Sequence, residues 1–112
     1  MTPDEILARP AKILSEQQRR DYFDKGYVMA ASIIPKEWID RLLAVTNAFV
    51  EKSRSVTKSN KVFDVDTGHS ADSPKLRRLS SPVDQDPAYW DFASSALLAD
   101  IAEDLLGPNV KF

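Results

Sequence analysis

Apolar residues recur at helical spacing along most of this chain and alternate over only a few short runs. The clearest stripe lies in KEWIDRLLAVTNAFVEKS, where Trp38, Leu42, Val45 and Phe49 share one face and Ile39 and Leu43 widen it. Asp40, Arg41, Asn47, Glu51 and Lys52 populate the opposite side. That spacing predicts an amphipathic helix with one buried face. Pro35 opens it, and periodicity fades across Lys52-Ser53-Arg54-Ser55. A second stripe, Leu97, Leu98, Ile101, Leu105 and Leu106, predicts a helix over 96–106. Ahead of it, Pro87 to Phe92 carries Tyr89, Trp90 and Phe92. Asp86 and Pro87 open that segment, Ser94 and Ser95 restart it, and Gly107 with Pro108 closes it. Trp38, Phe49, Trp90 and Phe92 all fall at helical positions that suit a core rather than a cofactor box.

Local start and stop signals add two more helices. Thr2 and Glu5 form a T-x-x-E box with Pro3 at the first helical position, but Pro10 cuts the segment short. A frayed turn in a mobile terminus, residues 1–13, is the expectation. Ser15 and Gln18 form an S-x-x-Q box, and Gly26 supplies a left-handed stop. Tyr27-Val28-Met29 then favours a short strand. Two further strands are expected, one around Val62, Phe63 and Val65 and one over Leu76 to Leu79. The turn-rich run DTGHSADSP separates them, and Ser80-Ser81-Pro82 ends the second. Val110-Lys111-Phe112 starts another extended segment. Isolated strands close no sheet, and an unpaired edge is costly or adhesive. The pattern therefore reads as α+β, mostly helical as it stands, and as the front end of a larger domain.

Composition narrows the function classes. Of 112 residues, 43% are hydrophobic and 29% charged, an ordinary balance for a globular chain. The formal net charge of −2 offers no field for nucleic acid or an anionic membrane. There is no cysteine, which excludes disulfides and thiolate metal sites and leaves the redox compartment open. The start MTPDEIL lacks the basic and apolar regions of a secretory signal, and no apolar run reaches the ~20 residues needed to span a bilayer. A cytoplasmic protein is the expectation.

Candidate chemistry is sparse. His69 is the single histidine, with Asp66 and Asp72 three residues to either side, and a histidine metal site usually needs two or three such ligands. A solvated loop histidine is the simpler reading. Asp64-Val65-Asp66-Thr67-Gly68 lacks the full acidic run and closing glutamate of a calcium loop, so a strand running into a turn explains it. Arg77 and Arg78 could pair with phosphate or carboxylate, yet strand alternation points them to opposite faces, and a surface salt bridge is the plainer role. No G-x-S-x-G elbow is present, and three glycines in all allow neither a P-loop nor a dinucleotide fingerprint. Glu103 and Asp104 are adjacent on a helix and diverge, so they make no general-acid pair. No residue is assigned a catalytic, cofactor-binding or metal-binding role.

The order of segments nevertheless resembles the N-terminal portion of the phytanoyl-CoA dioxygenase family, non-haem iron, 2-oxoglutarate-dependent oxygenases. The resemblance rests on Leu14 through Gly26 and Tyr27-Val28, the Trp38 to Phe49 helix, Pro74-Lys75-Leu76-Arg77-Arg78-Leu79, and Ser81-Pro82. It continues through Tyr89-Trp90-Asp91-Phe92, Leu97 to Leu106, Gly107-Pro108 and Val110. It implies that residues 14–112 are the incomplete front of a double-stranded β-helix, or jelly-roll, domain. In that family an H-x-D pair, a later histidine and an arginine hold Fe(II) and 2-oxoglutarate beyond this stretch. No residue here matches them: His69-Ser70-Ala71-Asp72 has the wrong spacing. The resemblance thus implies an inactive scaffold fragment, binding no cofactor itself, of a parent dioxygenase that hydroxylates a small organic or acyl substrate. A small non-catalytic helical interaction module is the alternative from a different class.

Overall fold

The computed structural model describes residues 1–111, so the extended start expected at Phe112 lies outside the described residues. The elements, in order, are α1 (Pro3–Leu7), α2 (Glu16–Lys25), α3 (Lys36–Ser53), β1 (Phe63–Val65), β2 (Leu76–Leu79), α4 (Pro82–Gln85), α5 (Pro87–Ala93) and α6 (Ala96–Leu106). They fall into two compact units, 1–33 with 93–112 and 34–92.

In the first unit α1, α2 and α6 pack on one another. Both capping boxes form. Thr2 Oγ1 accepts the Glu5 N–H while the Glu5 carboxylate accepts the Thr2 N–H. Ser15 and Gln18 make the same reciprocal pair at α2. Each box satisfies two of the donors that every helix start leaves open. Gly26 ends α2 at φ +82°, a left-handed conformation with no Cβ penalty for glycine. Residues 1–13 include the buried Ile6, and Leu14 directly after them is buried as well. The strand expected at Tyr27-Val28-Met29 does not form. Tyr27 is 65% and Met29 82% exposed, because strand propensity without a pairing partner gains nothing. Val110 and Lys111 are likewise not in a strand.

In the second unit α3 packs on β2, and β1 and β2 form a two-stranded antiparallel sheet. Phe63 faces Leu79, Asp64 faces Arg78 and Val65 faces Leu76, with an irregularity between Asp64 and Val65. The α3 stripe is oriented as its period predicts, but only partly covered. Phe49 is buried against the rings of Phe63 and Tyr89, at centroid distances of 6.3 and 6.4 Å. Trp38 is half-buried against Phe92 at 5.2 Å. Ile39 and Leu43, expected to widen the buried face, are 44% and 53% exposed. Trp90, read as core, is also largely exposed, because the buried position of its helix is Ala88. The short turn α4 was not expected. It follows Ser81, a non-glycine residue held left-handed at φ +46°.

Candidate functional site

Two polar hubs and one histidine bridge carry what chemistry the chain has. The first hub is Asp64, in the middle of β1 and 9% exposed. Its carboxylate accepts from Arg77 Nε at 3.2 Å, Arg77 Nη2 at 2.9 Å, Arg78 Nε at 2.6 Å and Ser59 Oγ at 3.1 Å. The expectation that adjacent strand residues cannot serve one partner is corrected here. Two long side chains reach the same carboxylate next to the register irregularity at Asp64/Val65, which breaks strict alternation. The Arg77 guanidinium, opposed by desolvation and helped by Arg78 and Ser59, holds the Asp64 carboxyl down at about 2. The plain salt-bridge role survives in part: both arginines are largely exposed, but they converge on one nearly enclosed anion. Beside this hub lies a polar pocket of about 520 Å³ whose lining includes Asn60, Asp64, Arg78, Ser80 and Ser81.

His69 is not a solvated loop residue. The Lys75 N–H donates to its Nδ1 at 2.8 Å, which places the ring proton on Nε2, and Nε2–H donates to the Ser53 carbonyl at 2.8 Å. The ring thus ties the end of α3 to both sides of the 66–75 loop, which Asp66 N–H to Lys75 C=O also closes at 2.9 Å. Asp66 caps its own turn through the Thr67 N–H. The Asp66 main-chain carbonyl accepts the His69 N–H at 3.0 Å, but among the described residues neither the Asp66 nor the Asp72 carboxylate bonds to the His69 ring. The reading of Asp64 to Gly68 as strand into turn matches the structure.

The second hub was missed in the sequence. Asp104, in the last turns of α6 and 3% exposed, accepts the backbone N–H groups of Lys12, Ile13 and Leu14, each at 2.8 Å. Arg19, equally buried, donates to the carbonyls of Asp104 at 2.9 Å, Arg9 at 3.0 Å and Ile6. Burial pushes the Asp104 carboxyl up, but the three amide donors, with Arg19 nearby, outweigh it and the net shift is downward. Glu103 does diverge from Asp104, and pairs with Lys12 Nζ at 2.8 Å. The hub organises chain rather than substrate: both carboxylate oxygens of Asp104 and all three guanidinium nitrogens of Arg19 have main-chain partners. No group of three or more metal-ligating side chains occurs among the described residues.

Comparison with known proteins gives one informative match. Over 95 residues, 85% of this chain, it is 23% identical to a probable alpha-ketoglutarate-dependent hypophosphite dioxygenase of Stutzerimonas stutzeri. The chain spans about a third of that protein's length. No family model matches, and no solved structure does. The similarity is a distant one, to a protein named for alpha-ketoglutarate-dependent dioxygenase chemistry. Among the described residues, no helix is long and apolar enough to cross a membrane.

Proposed function

We propose that this chain is scaffold from the N-terminal part of a non-haem Fe(II), 2-oxoglutarate-dependent dioxygenase of the phytanoyl-CoA dioxygenase type. The observation that carries this reading is the 95-residue similarity, which takes in most of this chain and a third of the relative. The incomplete burial of the α3 stripe supports it, since Ile39 and Leu43 are apolar surface that a jelly-roll sheet would cover. On this reading α3 and α6 pack outside that sheet, and the 53–82 loops border the substrate entrance.

The residues present do not fit the iron themselves. His69 spends both ring nitrogens on backbone groups, and among the described residues it belongs to no group of three or more metal-ligating side chains. Metal and 2-oxoglutarate belong, in this proposal, to residues of the parent outside this stretch, and no catalytic step is derived through this chain. The parent's substrate class is a small organic or acyl compound. The relative's name adds hypophosphite, a small phosphorus oxyanion, to the candidates.

The test is the reading frame beyond the Phe112 codon and the protein it encodes. An H-x-D pair with a later histidine and arginine is expected there. The longer protein should release succinate from 2-oxoglutarate only with Fe(II), and residues 1–112 alone should release none. A stop codon directly after Phe112, or a longer chain lacking that ligand set, would overturn the proposal.

A further inference from the structure

The Asp64 hub leaves a positive charge that nothing in the hub consumes. Two guanidinium groups share one carboxylate, so the cluster carries a formal charge of +1. Arg78 commits only its Nε to Asp64, and its two terminal amino groups make no hydrogen bond among the described residues. This side chain lines the 520 Å³ pocket with Asn60, Ser80 and Ser81. Asn60 uses its side-chain carbonyl to accept the Val62 and Phe63 N–H groups, both at 2.9 Å, which leaves its NH₂ as a donor. The Ser80 backbone is fixed at both ends, its N–H on the Val62 carbonyl at 2.8 Å and its C=O on Gln85 Nε2 at 3.3 Å. The donors left to the pocket are therefore side-chain groups, the Arg78 terminal amino groups and the Asn60 NH₂ with the Ser80 and Ser81 hydroxyls beside them, while the Ser80 N–H is already spent on Val62. The pocket's one carboxylate is already saturated by four donors.

We propose that this pocket is a seat for a tetrahedral oxyanion, a phosphate group, held by the outer edge of Arg78 with Asn60, Ser80 and Ser81 around it. Asp64 has a positioning role, fixing Arg78 through Nε so that its remaining N–H groups are presented without a further loss of side-chain freedom. A planar carboxylate would be served by one guanidinium fork alone. Donors at Asn60 and at Ser80 and Ser81, on two separate loop segments, suit an anion whose oxygens point in several directions. The inference does not depend on the dioxygenase reading, because it needs only residues described here and no catalysis.

The test is a titration of the ¹⁵N-labelled chain with inorganic phosphate at constant ionic strength, with acetate and chloride as parallel arms. Phosphate should shift the amides of Asn60, Ser80 and Ser81 in a saturable way, while chloride leaves them unmoved and acetate binds more weakly. Arg78→Gln should weaken phosphate binding by about tenfold or more, the loss of hydrogen bonds to a charged group. Ser80→Asp, which leaves the Asp64 hub intact and adds a negative charge to the pocket, should abolish binding with the far-UV spectrum unchanged. Equal shifts with chloride, tighter binding of acetate, or full binding by a folded Ser80→Asp protein would each overturn the proposal.

Discussion

Replacing Asp104 by alanine should detach the segment before α2 from α6. In the native chain its two oxygens take three backbone N–H groups at 2.8 Å. The Leu14 N–H is buried, and losing its only acceptor costs about 1–3 kcal/mol. The Lys12 and Ile13 groups are part-buried, so water can replace the carboxylate there at about 0.5–1.5 kcal/mol each. Relief from burying a carboxylate offsets part of this, which leaves a net destabilisation of about 3 kcal/mol. Asp104→Asn should cost less, about 1–2 kcal/mol, since one oxygen still accepts while the amide NH₂ meets a backbone donor. Urea unfolding followed by far-UV circular dichroism gives the stability difference. Amide exchange locates it: Leu14 should exchange about 100-fold faster in the alanine variant, while amides in α3 stay as they were. A stability change below about 0.5 kcal/mol, with Leu14 exchange unaltered, would refute the reasoning, because water would then be solvating these donors as well as Asp104 does.

Three further outcomes follow from the same geometry. The Asp64 carboxyl is held at about 2 in the folded chain, below its ordinary 3.8, so its contribution is fully present above pH 3.8 and is lost as pH falls towards 2. An NMR titration of Asp64 should therefore show a midpoint near 2, and a midpoint near 4 would mean that the arginines do not engage it in solution. Gly26→Ala meets no neighbour within 4 Å yet must adopt φ +82°, so a melting experiment should show a loss of about 1–2 kcal/mol; a neutral result would mean that the α2 stop is not left-handed. His69→Ala should speed exchange of the Lys75 amide, whose acceptor is Nδ1, without changing α2 or α6.

What was legible in the chain was local. Capping boxes at Thr2 and Ser15, the glycine stop at Gly26 and the 3.6-residue stripe of α3 depend on neighbours within a few positions, and each appears where its pattern put it. The strand pair 63–65 and 76–79 was also readable, because a turn-rich loop separates two β-prone runs. Tyr27 to Met29 shows the limit of that reasoning: the same propensity, with no facing strand, yields coil.

The two hubs were illegible for a different reason. Asp104 and its amide partners lie 90 to 92 residues apart, and a backbone N–H has no signature in a sequence. Adjacency on a helix dictates that Glu103 and Asp104 diverge, but not that Asp104 is the one turned inward. Arg19 gave no hint either, since a buried arginine is rare and this one directs its hydrogen bonds to three main-chain carbonyls, with the Asp104 carboxylate near but 85 residues away in sequence. At Arg77 and Arg78 the period-two rule misled because it describes where Cβ atoms point, whereas a guanidinium sits at the end of a long flexible stem and can return to a shared anion. The charge patterning of this chain therefore serves two ends. Buried Arg19 and Asp104 hold backbone in place, while the Asp64 cluster, with one guanidinium edge unspent, is the place where charge remains available for a ligand.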